Sequence, residues 1–148
     1  MWLVGGDSRD KRWLARNQSV LALLGAALIA AGFAGFVVPA ESAVMSGALA
    51  YNVFHLVAGA CAVALLFTHR PGLVASFNVG FGLFDLWQVI AGLTGVFPAT
   101  LFALRPADHV VHGVLGVGLV LVGGRGVAAI IRRPSESAEA RPSEGHRG

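Results

Sequence analysis

The sequence predicts an all-α fold: an integral membrane four-helix bundle built from two duplicated helical hairpins, with N and C termini both cytoplasmic. Three observations point there. The 148-residue chain is 55% hydrophobic and only 13% charged, with a mean hydropathy of +0.70, too apolar to give a folded domain a water-compatible surface. Its uncharged stretches reach membrane-crossing length. A polar pattern also recurs: Asn52-x-x-His55-x-x-x-Gly59 returns 57 positions later as His109-x-x-His112-x-x-x-Gly116. A matching set precedes each copy, with Ala31-Gly32, Gly35 and Pro39-Ala40 answering to Ala91-Gly92, Gly95 and Pro98-Ala99.

Residues 1–18 read as a cytoplasmic lead-in, with Arg9, Lys11, Arg12 and Arg16 set against Asp7 and Asp10, and with Trp2 and Trp13 as interfacial aromatics. Span one is 20–38, whose 19 uncharged residues reach roughly 28 Å at 1.5 Å per residue, close to the ~30 Å hydrocarbon core. The basic flank and Val38-Pro39-Ala40 resemble a cleavable signal, but the apolar stretch exceeds the roughly 7–15 residues usual for one. It also has a retained counterpart downstream. Residues 41–47 form an outer connection without Lys or Arg, and span two is 49–67, broken only by Asn52 and His55. His69-Arg70-Pro71-Gly72 then makes a tight turn.

Span three is 73–97 and contains Asn78, Asp85 and Gln88. After a second outer connection, Pro106 and Asp108 suit the first turn of a helix, Pro by its fixed φ and Asp as a cap. Span four is 110–131, where Arg125 is tolerable if it snorkels to the headgroups. Residues 132–148 carry charge, Pro, Ser and Gly without a large apolar residue and read as a disordered cytoplasmic tail. Ten of the eleven Lys and Arg residues flank the spans on one side, only Arg105 falling in an outer connection, which places both termini in the cytoplasm and the chain in the inner (plasma) membrane as a multi-pass protein. A pI near 10.0 would suggest nucleic acid for a soluble protein; here the basic residues anchor at the lipid surface. Cys61 stands alone, reading as a small buried side chain, and His69 and His146 read as solvated.

The topology puts Asn52, His55, Asp108, His109 and His112 in one layer near the outer side. Asp108 lies one turn before His112, so its carboxylate is positioned to orient the imidazole. On span three, Asn78, Gly82, Asp85, Gln88, Gly92 and Gly95 succeed one another in steps of three and four and draw one inward stripe. Asp85, near mid-span, costs about 2.5–3.5 kcal/mol on insertion and needs a partner or must lose its charge. An offset of 60 pairs it with Gly25, so it breaks the internal symmetry. Gln88, one turn further out, is placed to link Asp85 to the histidines. Trp87 is expected against lipid or a partner helix, and Gly113, Gly116 and Gly118 at helix contacts.

The motifs Asn52-x-x-His55-x-x-x-Gly59, Gly80-Phe81-Gly82 and Pro106-Ala107-Asp108-x-x-x-His112 together resemble a bacterial family catalogued as domain of unknown function 4383. The likeness covers about residues 20–124, with His109 as a departure from the pattern. It implies a small four-span integral membrane protein and brings no activity with it.

Functionally, nothing in the chain resembles an enzyme: no nucleophile beside a base, no phosphate-binding Gly loop followed by Lys, no zinc-type Cys cluster. The sole Lys11 lies outside the spans, which excludes a retinal Schiff base. The leading expectation is a non-enzymatic accessory or interaction subunit of a membrane assembly, with the lipid bilayer, other membrane subunits or further copies of itself as partners and no nucleic acid. No cofactor is required by that reading. Two alternatives stand beside it: a redox or ligand-binding module in which His55 and His112 hold a haem b, and a proton-coupled carrier using Asp85. Asn52, His55, Asp85, Gln88, Asp108 and His112 are the candidate site residues under any of the three.

Overall fold

The computed structural model describes residues 8–39 and 41–139, with side chains placed as far as Arg132. Five helices follow in order: α1 (Ser8–Val37), α2 (Leu49–Phe67), α3 (Pro71–Thr94), the short α4 (Ala99–Phe102) and α5 (Pro106–Glu139). Among the described residues there is no strand. All but α4 are long and apolar enough to cross a membrane. Large apolar side chains all around the bundle stand open, Leu23, Val37, Val57, Phe67, Leu93 and Val114 among them, a surface that suits acyl chains rather than water.

Several boundaries move from their sequence-based positions. The lead-in is helical from Ser8, so α1 carries span one and most of the charged flank without a break; residues 1–7 lie outside the described residues. Pro71 opens α3 as its first helical residue, where the missing amide proton costs nothing. The helix stops at Thr94 rather than 97 because Gly95 takes φ 72° and turns the chain out. Gly95 therefore serves the turn, and the inward stripe ends before it. α5 begins at Pro106 and runs on to Glu139, so 132–139 are helical rather than disordered: extending an established helix needs no new nucleus. The remainder of the expected tail, with His146, lies outside the described residues. Cys61 is exposed, not buried.

α1 packs along α2 and α3 along α5 as two antiparallel hairpins, brought close by glycines. A Cβ on Gly82 would stand 2.8 Å from the Gly116 carbonyl oxygen, and one on Gly116 equally close to that of Gly82. Gly59 meets Gly25 in the first hairpin in the same way, at 3.0 Å. Gly118, expected at a contact, faces open space instead. Three contacts match at positions 57 apart: Gly25 and Gly59 as Gly82 and Gly116, Ile29 on Gly59 as Leu86 on Gly116, and Asn52 in the notch of Gly35 as His109 in the notch of Gly92. In the first helix of each pair these contacts fall at a spacing of 57, where the residue pattern suggests 60. Gly25 answers to Gly82, and Asp85 answers to Leu28.

Between the hairpins, Leu21, Leu24, Leu28, Ala58, Ala62, Val74 and Leu119 form the apolar core. The backbones of α2 and α3 stay apart, and rings fill the space: Phe54 lies 5.1 Å from Phe84, 5.3 Å from Phe102 and 6.2 Å from Phe81 between centroids. The bundle thus has a connection end, where residues 38–48 and 95–105 cross over, and a terminus end, where Asp10 meets Arg132.

Candidate functional site

Asp108 organises the connection end. It is the third residue of α5, so its carboxylate reaches back to the N-cap amide of Arg105 at 2.7 Å, one arm of a capping box. It also accepts the Ser46 amide, at 3.0 and 3.3 Å to its two oxygens, and the Tyr51 hydroxyl at 2.9 Å. Asp108 is fully buried, and three donors from three segments satisfy it. Ser46 extends the web by donating its hydroxyl to the Phe102 carbonyl and accepting the Ala48 amide at 3.2 Å. Arg105, the sole basic residue of the two connections at this end, donates to the Ala43 carbonyl.

Tyr51 then reaches His112, whose Nε2 lies 3.1 Å from the hydroxyl oxygen. A carboxylate only accepts, so the single hydroxyl proton goes to Asp108, and His112 must donate its Nε2 proton to Tyr51. In the neutral imidazole that leaves Nδ1 as the lone-pair nitrogen; it is buried and, among the described residues, has no partner. The expected direct contact between Asp108 and His112 is replaced by this relay through Tyr51. His55 sits beside it, its Nδ1 donating to the Tyr51 carbonyl at 2.8 Å and its ring edge-on to the phenol at 4.1 Å. Tyr51 and Asp108 are themselves 57 residues apart, so corresponding positions of the two hairpins touch.

The other members of the expected layer face elsewhere. Asn52 fills the notch at Gly35 and donates to the Gly47 carbonyl at 3.2 Å, and His109 fills the notch at Gly92. Both serve packing within their own hairpin. An apolar pocket of about 220 Å³ lies beside the Gly35 notch, lined by Ala31, Ala34, Gly35, Val38, Met45 and Tyr51 among others.

Asp85 is buried deeper on α3. Gln88 donates Nε2 to its Oδ1 at 3.3 Å, while Asp85 Oδ2 and Gln88 Oε1 meet no donor. Gln88 therefore serves Asp85 and does not link it to the histidines. Toward the terminus end, Asn78 donates to the Asn17 side chain at 2.9 Å and to its carbonyl at 3.2 Å, and Asn17 donates in turn to Val122 at 2.9 Å, binding α3, α1 and α5 together.

Ser46, Tyr51 and Asn17 are the working residues the sequence reading passed over. Tyr51 directly precedes Asn52 and lies one turn before His55, the spacing of a shared helix face. Asn17 was hidden by a lead-in taken to end before the first helix.

A haem between His55 and His112 does not fit this arrangement. The Tyr51 ring stands against both imidazoles, at 4.1 and 6.0 Å between centroids, and its hydroxyl occupies His112 Nε2. Nor, among the described residues, do three or more His, Cys, Asp or Glu side chains converge as metal ligands would. No protein-family model matches the chain, and no curated protein or solved structure matches it either. What the arrangement supplies chemically is cross-linking: one carboxylate fastens a connection, α2 and α5 into a single unit.

Proposed function

We propose that the chain is a non-enzymatic accessory subunit of a membrane assembly in the bacterial inner membrane, with both termini cytoplasmic and the two hairpins derived by duplication. It belongs in this reading with the four-span family it resembles. One observation carries the proposal: the buried Asp108 carboxylate takes its donors from the Ser46 and Arg105 amides and the Tyr51 hydroxyl, as expected of a scaffold that holds a fixed surface at that end. The matching contacts at a spacing of 57 support the duplication, and the clustering of basic residues at the terminus end supports the orientation.

The test is the size of the native complex. Extracted gently from its own membrane, the tagged chain should migrate with other subunits, and Asp108→Ala, which releases three donors at once, should free it from them. Migration of the wild-type chain as an isolated monomer would end this reading.

A second reading is favoured by Asp85, a buried acid with one oxygen unoccupied: a proton-coupled carrier, working as a dimer because four spans are few for one. Its measure is proton flux into liposomes, which Asp85→Asn should abolish. Flux unchanged by that substitution removes the carrier.

A further inference from the structure

At the terminus end an amide draws α1 and α5 together. Asn17 donates to the Val122 carbonyl across the interface, and Gly126 leaves the space it needs, since a Cβ there would meet the Asn17 side chain. One turn before Asn17, Trp13 of α1 faces Arg125 of α5. The Arg125 guanidinium carbon lies 5.0 Å from the Trp13 ring centroid, and that of Arg16 lies 4.9 Å from it. Two like charges are held on one indole.

A guanidinium held over a ring by its charge gives none of its N–H bonds to an acceptor there, and they remain available to a phosphate, which they match bidentately. Both side chains are exposed. Among the described residues neither one forms a hydrogen bond or an ion pair, and the nearest acid along α1, Asp10, already accepts from Arg132 at 2.8 Å. Arg125 lies seven residues before Arg132, roughly 10 Å closer to the bilayer centre along the helix. With the membrane placement proposed above, a side chain snorkelling outward from that depth reaches the lipid phosphodiester before bulk water.

We infer that Arg16 and Arg125, displayed on Trp13, bind the phosphodiester of an anionic glycerophospholipid in the leaflet at the terminus end. The inference rests on the membrane placement proposed above. Zwitterionic lipids carry their own cation into the site, where it meets the two guanidiniums. A headgroup without that cation keeps the attraction whole.

The test uses the full chain reconstituted in mixed phosphatidylglycerol and phosphatidylcholine, then stripped in mild detergent, with retained lipid read by native mass spectrometry. Wild-type protein should keep phosphatidylglycerol in preference. Arg16→Gln with Arg125→Gln should lose roughly thirtyfold of that preference, at about one interfacial arginine's worth of attraction each. Arg125→Lys, which keeps the charge but lacks the planar fork, should weaken it and carries the test if the double variant does not fold. Arg70→Gln, a charge removed at the same end but away from Trp13, should leave it intact. Equal retention of both lipids, a double variant or Arg125→Lys indistinguishable from wild type, or displacement of the lipid by inorganic phosphate would each overturn the site. Release of the chain from membranes by alkaline carbonate would instead overturn the placement on which it rests.

Discussion

Tyr51→Phe removes one oxygen and leaves the ring in place among His55, Phe102 and His112. Asp108 keeps the Ser46 and Arg105 amides but loses its hydroxyl donor, and the His112 Nε2 proton loses its only acceptor inside the bundle. A hydrogen bond to a charged group contributes about 1.5–3 kcal/mol in water-soluble proteins, and an orphaned buried donor costs about 1–3. In membrane bundles the unfolded reference state recovers partners, and a side-chain bond averages ~0.6 kcal/mol, reaching ~1.7. Two bonds near the upper part of that range give an expected loss of about 2 kcal/mol. Asp108→Asn should cost more, about 3 kcal/mol, because its new NH₂ group faces the Ser46 or Arg105 amide donor to donor. The informative quantity is the coupling between the two changes. Unfolding of the four variants by sodium dodecyl sulfate in mixed micelles, followed by tryptophan fluorescence, should give a double-mutant cycle with a coupling of about 1–2 kcal/mol. Additivity within about 0.5 kcal/mol would refute the relay, since residues 2.9 Å apart and sharing a proton cannot act independently.

Gly82→Val puts its Cβ 2.8 Å from the Gly116 carbonyl and should cost about 2 kcal/mol or more in the same unfolding assay, while Gly80→Ala, where nothing lies within 4 Å, should stay within about 0.5. Asn17→Leu strands the Asn78 amide and removes the bond to the Val122 carbonyl, which keeps its place in the helical ladder, and should cost about 1–2 kcal/mol; adding Asn78→Leu should recover part of that loss rather than add to it. Asp85→Leu installs the residue found at the corresponding position, Leu28, and should raise stability by about 2 kcal/mol by removing an acid with an unoccupied oxygen. A destabilised Asp85→Leu variant would show that the carboxylate contributes structurally.

The four long apolar helices were readable because 3.6-residue periodicity and the length of an apolar run are properties of the chain alone. His55, Asp108 and His112 were readable as members of one layer for the same reason, since a bilayer penalises each polar group on its own. Partnership was less legible. Asp108 was expected to address His112 along its own helix, where spacing alone suggests it, yet the bond runs through Tyr51 on a different helix. Ser46 contributes its backbone amide, a group every residue but proline carries, so no pattern of residue types announces it. The offset of 60 had the same origin: Gly32 and Gly35 match Gly92 and Gly95 by identity, but contact geometry pairs Gly35 with Gly92 through the side chain each one admits.

Those corrected pairings show why the polar residues sit where they do. Where residues 57 apart meet, as Tyr51 and Asp108 do, identical groups would set donor against donor or acid against acid. Tyr51 and Asp108 avoid this by differing, a hydroxyl donor facing a carboxylate acceptor. Asn17 and Asn78 do so across different levels, the corresponding positions being Val74 and Leu21, both buried and apolar. In each case one hairpin supplies a polar group where the other supplies its complement or grease, so these bonds join the hairpins from within, beside the contacts of Asp10 with Arg132 and of Arg105 with Ala43 at the two ends. Asp85 breaks the same correspondence, against Leu28, but no complement arrives from the first hairpin; its one bond comes from Gln88 on its own helix. It is therefore the asymmetric polar group whose presence the architecture of the bundle does not account for, and the place where selection for something other than stability is to be sought.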